Sequence, residues 1–259
     1  MDSRIGEPLF FGDVREPLFG CLHSPSADAR DAAVILPAAG HEYVSSHRTV
    51  RQLAIRLASQ GCAALRVDLY GCGDSAGAKD SGTLERWAAD AAAATGYLRA
   101  RAPHARLHLV GLRLGASLAT LCGAGICGLE SVVLWDPVFR GADYLAQGVR
   151  LHQRRFSTRQ SPHDAEPIEI LGYALSAQLV HELKVLDLGT LEAPPAPRAL
   201  IVTTGAQSGT APLTRRLAEI GAKAQAREVE APDLWTGDGH VAIVPTAFIQ
   251  IVAEWIAGT

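Results

Sequence analysis

No stretch of the 259-residue sequence comes near the ~18 consecutive apolar residues that a membrane span needs; the longest runs are broken by glycine or charge. Charge of one sign is equally scarce. The 24 Lys and Arg stand against 27 Asp and Glu, giving a formal net charge of -3 and a pI near 6.3. The chain thus offers no basic field to nucleic acid or to an anionic membrane surface. Its nine histidines are scattered along the chain, and neither a metal nor a cofactor is expected. The opening residues, Met1 to Glu7, lack the charged, apolar and cleavage-site regions of a secretory signal, and cytoplasm is the expected compartment. Five cysteines (Cys21, Cys62, Cys72, Cys122 and Cys127) make an odd count without framework spacing, so reduced thiols are expected.

What is present is apolar content, 48% against 20% charged, enough for one α/β domain with a small insertion. Pro8 to Phe11 and Leu18 to Leu22 read as a hairpin turning at Gly12-Asp13. Buried strands are expected at 33–36, 63–69, 107–112, 131–135, 199–203 and 225–229. They alternate with helices at 44–59, 84–102, 114–125, 213–220 and 243–256. Such alternation implies a mostly parallel sheet with right-handed crossovers, and ligands at the carboxyl ends of its strands. Residues 138–196 break the rhythm. They are polar and Arg-rich at first, weakly helical from Ser176 to Leu188, and close on Pro194-Pro195-Ala196-Pro197. The expected organisation is a core of residues 1–137 and 197–259, with 138–196 as a cap insertion over the sheet edge.

The most informative segment is Leu109-Val110-Gly111-Leu112-Arg113-Leu114-Gly115-Ala116, a strand entering a helix through Gly-x-Arg-x-Gly. In α/β-hydrolases the corresponding Gly-x-Ser-x-Gly turn is the nucleophile elbow, sharp and strained, with the middle residue lifted above the sheet. Both glycines are kept here, but Arg113 holds the nucleophile's place. A guanidinium stays protonated and cannot attack an acyl carbon. Arg113 is then either an anion site at a helix N-terminus or an ion-pair partner plugging the pocket. Ser117, four residues on, is a displaced nucleophile or a helix-packing serine.

Gly205-Ala206-Gln207-Ser208 stands where a hydrolase usually offers Gly-x-x-Asp. His240, in Asp238-Gly239-His240 ahead of the last helix, occupies the catalytic histidine's position or is a plain polar loop residue. Asp136 either orients His240 or makes a turn with Pro137. Cys72, in Gly71-Cys72-Gly73, is a reactive thiol or a small residue fitting a tight turn.

Several strings resemble the exosortase-A-associated hydrolases of the second type, within the serine-aminopeptidase-like α/β-hydrolases. They are Leu36-Pro37-Ala38-Ala39-Gly40-His41-Glu42 with Ser46-His47-Arg48, the run from Asp68 to Gly77, Gly111 to Ala116 with its arginine, Leu134 to Val138, and Gly172 to Ser176. The resemblance spans about residues 33–190. It implies an α/β-hydrolase fold, with a mostly parallel central sheet, an N-terminal antiparallel hairpin and a small helical cap. It also implies hydrolysis, and an association with protein-export sorting and exopolysaccharide loci.

Carried onto this chain, the loop of Ala39, Gly40 and His41 places one oxyanion-hole N–H, and Leu114 the other. Glu42 lies within reach of Arg113, and Trp235 is grouped with these as substrate-binding. The expected activity is hydrolysis of an ester, thioester or lactone of an anionic small molecule without a serine. Arg113, His240 and Asp136 would be the catalytic set. The alternative is a degenerate hydrolase fold acting as a binding protein or partner subunit.

Overall fold

The computed structural model describes residues 6–156, 168–205, 209–231, 234–235 and 244–258. Its centre is an eight-stranded sheet. In chain order the strands are β1 (Glu7–Asp13), β2 (Glu16–His23), β3 (Asp31–Leu36), β4 (Cys62–Val67), β5 (Arg106–Leu112), β6 (Leu129–Trp135), then β9 (Arg198–Thr204) and β10 (Lys223–Val229). Their spatial order is β1-β2-β4-β3-β5-β6-β9-β10. The β1–β2 hairpin joins through an antiparallel β2–β4 pairing, and all pairs from β4 to β10 are parallel.

Side chains of β3 alternate as a strand buried on both faces requires. Ala32, Val34 and Leu36 enter one apolar cluster with α2 (Leu84–Arg101), α3 (Leu114–Cys122) and α6 (Thr210–Glu219). Ala33 and Ile35 enter a second cluster with α1 (His41–Ser59) and α7 (Thr246–Ala257). Among the described residues no helix is long and apolar enough to cross a membrane.

From β3 the chain steps to β4 on one side and then returns to β5 on the other. This reversal opens a crevice at the carboxyl ends of β3 and β5, where an open parallel sheet accepts ligands.

The expected elements form, with shifted bounds. The helix expected from 44 begins at His41, which puts Glu42 in its first turn. The helix expected to run to 125 ends at Cys122 and tightens into a 3-10 turn at Gly123–Gly125.

Between β6 and β9 lie α4 (Gly141–Phe156), a small hairpin of β7 (Ile168–Ile170) and β8 (Tyr173–Leu175), and α5 (Ala177–Val185). No helix is expected from the sequence at α4. Its arginines Arg150, Arg154 and Arg155 hide a narrow stripe of Leu145, Gly148 and Val149, which with Gly141 are the residues it buries.

Candidate functional site

The elbow exists as a backbone feature. Arg113 has φ 52 and ψ -117, a sparsely populated region for a residue with a Cβ, between the end of β5 and the start of α3. The two glycines allow it. A Cβ on Gly111 would lie 2.4 Å from the Ala116 Cα, and one on Gly115 would lie 2.2 Å from the Pro37 carbonyl oxygen. These are backbone collisions that no rotamer relieves. Ser117 is fully buried and donates to the carbonyls of Val138 at 2.8 Å and Arg113 at 3.3 Å. It packs α3.

The Arg113 guanidinium is 6% exposed and meets a carboxylate of the protein itself. Its Nε–H donates to Glu42 Oε1 at 2.8 Å, and Nη1 donates to the Asp136 carbonyl at 3.1 Å. Glu42, 2% exposed, accepts a second hydrogen bond on Oε2 from the Tyr144 hydroxyl at 3.0 Å. The guanidinium carbon lies 5.6 Å from the Tyr144 ring centroid and 5.5 Å from that of Trp235, within cation–π range. Burial works to lower the arginine's pKa, and Glu42 outweighs it, so the group stays charged. Burial, then Glu42, drives the Tyr144 phenol well above its ordinary value of 10.0, leaving it a neutral donor. A buried ion pair of this kind needs further hydrogen bonds to its remaining polar atoms, and Tyr144 and the Asp136 carbonyl supply two of them.

Asp136 follows β6 with φ 43 and is 1% exposed. Its carboxylate accepts from the Thr204 N–H at 2.8 Å, from the Thr204 hydroxyl, and from the Trp235 indole N–H at 2.7 Å. A simple turn with Pro137 therefore understates it, because the carboxylate ties the tips of β6 and β9 to Trp235. Burial raises its pKa, and these hydrogen bonds do not fully counter that. The Trp235 indole packs edge-on against Trp135 at 5.1 Å, and its carbonyl lies 3.0 Å from His41 Nε2. His240, proposed as the base that Asp136 orients, lies outside the described residues.

Ala39, Gly40, His41, Glu42, Leu114 and Trp235 all line one pocket. Tyr144 and Leu151 of α4, Tyr173 of β8 and Leu179 of α5 complete its walls. The free space is about 30 Å³, room for about two water molecules. Leu114, first in its helix, has an N–H with no intrahelical partner. Burial first, and then Asp68, push the Cys72 thiol up to about 12, which disfavours the reactive thiolate. Among the described residues no group of three His, Cys, Asp or Glu side chains could hold a metal ion.

Sequence reasoning missed two contributors. Tyr144 could have been found from the spacing of Tyr144, Gly148 and Leu151 on one helical face. Thr204 stands at the strand tip just before the position where the usual acid is lacking.

A switch-point crevice, an elbow at the end of β5 and a loop after β3 facing it define an α/β-hydrolase fold. The family model described as Serine aminopeptidase, S33, matches residues 29–169, more than half of the chain. The chain belongs to that family and is a hydrolase-family protein with an esterase-like fold. Among solved structures it is similar to a thermostable carboxyl esterase from Bacillus coagulans, at TM-score 0.69 and 12% identity, covering 98% of each chain. It is also similar to Est1E from Butyrivibrio proteoclasticus with bound ferulic acid, at TM-score 0.63 and 14% identity, covering 96% of each chain. At such identities the likeness is one of fold. Among curated proteins no sequence matches significantly.

Proposed function

We propose that this domain binds a small acyl compound of ester, thioester or lactone type beneath residues 138–196, acting as the cap, and forms no covalent serine intermediate. The observation that carries this reading is the Arg113–Glu42 pair standing in the nucleophile's position. An arginine cannot take an acyl group, and Ser117 is committed to helix packing. The pocket's walls are mostly apolar and suit the acyl part, while the Leu114 N–H suits its carbonyl oxygen. An anionic head group would be drawn to Arg113 against the opposing charge of Glu42. We also infer the exosortase-A-associated subtype, from the strings Asp68 to Gly77 and Gly111 to Ala116 with its arginine.

A second reading, hydrolysis by water, draws support from the grouping of Ala39, Gly40 and Leu114 around one pocket. These residues would supply the two oxyanion-hole N–H groups for a tetrahedral intermediate. His240 would then act as general base, and Arg113 would polarise the carbonyl.

Titration calorimetry and product detection with p-nitrophenyl butyrate, a butyryl thioester and γ-butyrolactone separate the two. The binding reading expects saturable binding with no product above the buffer rate. It also expects at least about a tenfold loss of affinity in Arg113→Ala and little change in His240→Ala. Turnover abolished in His240→Ala with binding retained would establish the second reading. Binding unaffected by Arg113→Ala would remove Arg113 from the site.

A further inference from the structure

Most of the pocket's walls are aliphatic, and most of its polar side chains are already engaged. Both Glu42 carboxylate oxygens accept, from Arg113 and from Tyr144, and the Trp235 indole N–H is held by Asp136. Tyr173 is 36% exposed and can give its hydroxyl to water. Two lining side chains are left with polar atoms that the protein does not meet, His41 and Gln147.

His41 opens α1, and its Nε2 lies 3.0 Å from the Trp235 carbonyl oxygen. A carbonyl only accepts, so Nε2 carries the proton and Nδ1 of the neutral ring is a lone pair. That lone pair finds no donor among the described residues. Gln147, half-buried on α4, has a carboxamide with no hydrogen-bond partner among them either. The two groups stand at one end of the pocket. Gln147 follows Tyr144 by three residues, so both side chains leave the same face of α4. The Tyr144 hydroxyl in turn reaches Glu42, the neighbour of His41 in the chain.

We propose that the pocket selects acyl compounds bearing a hydroxyl close to the acyl carbonyl, and that His41 and Gln147 read that hydroxyl. The ligand class is then an ester, thioester or lactone of a hydroxy acid. The inference rests on the acyl-binding reading above. A plain acyl chain would cover both polar groups and satisfy neither, which costs binding free energy. A hydroxyl serves both: its O–H donates to His41 Nδ1, and its oxygen accepts from the Gln147 amide N–H. A carboxylate has no proton for Nδ1. An ammonium would set a second cation near the Arg113 guanidinium, with the one lining carboxylate, Glu42, already engaged. In about 30 Å³ of free space, a hydroxyl is also the smallest neutral group that both donates and accepts.

Titration calorimetry of the full chain with γ-butyrolactone and its α-hydroxy and β-hydroxy derivatives tests this. At least one hydroxylated lactone is expected to bind about tenfold more tightly than the plain one, or better. That preference is expected to vanish in Gln147→Leu and in His41→Phe. A second readout needs no substitution. In wild-type protein carrying isotopically labelled histidine, the preferred hydroxylated lactone is expected to shift the His41 Nδ1 resonance further than the plain lactone does. Equal affinities of wild type for all three lactones would overturn the hydroxyl selection and leave acyl binding intact. A preference kept in both variants, or a His41 Nδ1 resonance that responds alike to every lactone, would overturn the assignment to these residues. Binding of none of the three would instead remove the acyl-binding reading, and the hydroxyl selection with it.

Discussion

Two polar networks sit at opposite ends of the same parallel strands, and the one that looks more catalytic is in the wrong place. At the amino ends, His108 of β5 is fully buried, with Nδ1 2.8 Å from the Ser131 hydroxyl and Nε2 3.2 Å from Asp31. Arg106 donates twice to the same Asp31 carboxylate, at 2.8 and 3.1 Å. Serine, histidine and aspartate in a hydrogen-bonded row have the composition of a hydrolytic triad. Yet Ser131 and His108 are 0% exposed, so no substrate reaches them, and they pin the starts of β3, β5 and β6 together. At the carboxyl ends, where the strand order reverses, the row reads Tyr144, Glu42, Arg113, and it borders a pocket. Residue types alone would choose the first network; topology and access choose the second.

The difference is sharpest in how each network treats its charge. Removing Glu42 leaves the Arg113 guanidinium buried without its carboxylate, so Glu42→Ala is expected to lower unfolding free energy by about 3–5 kcal/mol. Removing Asp31 strands less charge, because the Arg106 side chain is 37% exposed and can turn to water. Asp31→Ala is expected to cost about 1–3 kcal/mol. Urea melts of both variants under one buffer would give the order, and a larger loss in Asp31→Ala would reverse the assignment of the two networks.

The two buried aspartates should respond to pH in opposite senses. Burial works to raise Asp31, but hydrogen bonds from His108 and Arg106 outweigh it and hold the carboxyl below its ordinary 3.8. Its stabilisation is present above 3.8 and is lost as pH falls through the lower folded value. The deficit of Asp31→Asn relative to wild type should therefore be largest near neutral pH and shrink in acid. Asp136 is raised above 3.8, by burial first. Its contribution is present below 3.8 and is lost as pH rises through the raised value. The deficit of Asp136→Asn should shrink as pH rises through that window. Melting curves of both variants across the acid range would show the two trends, and parallel trends would mean that the two sites do not differ as described.

The smallest effect expected is at Ser131. Ser131→Ala deletes one buried hydrogen bond to His108 and should cost about 1 kcal/mol, with affinity for acyl compounds unchanged. A loss of binding in that variant would couple the amino-end network to the pocket.

Much of this was legible in the sequence where a local pattern decides the outcome. Apolar runs alternating with amphipathic stretches mark the strands and helices, and Gly111 and Gly115 mark a turn whose two flanking positions tolerate no side chain. The proximity of Glu42 to Arg113 follows from their loops sharing the crevice beside β3. The rest depends on contacts between distant segments. The pairing of His108 with Asp31 and Ser131 joins three strands through their register, which no local spacing encodes. α4 hides because its apolar stripe is narrow and small, and Tyr144 acquires its role only when that helix crosses the elbow. Asp136 reads locally as a turn residue, since Thr204 and Trp235, the groups that engage it, lie 68 and 99 positions away.

The claim on which all of this turns is that the elbow holds a paired arginine and no covalent nucleophile. Intact-mass measurement after prolonged exposure to excess fluorophosphonate tests it most directly. The expected result is the unmodified mass of the full chain, in wild type and in Ser117→Ala alike. A stoichiometric adduct on the wild-type protein that disappears in Ser117→Ala would place a working serine in α3, one turn beyond the elbow, and contradict the account.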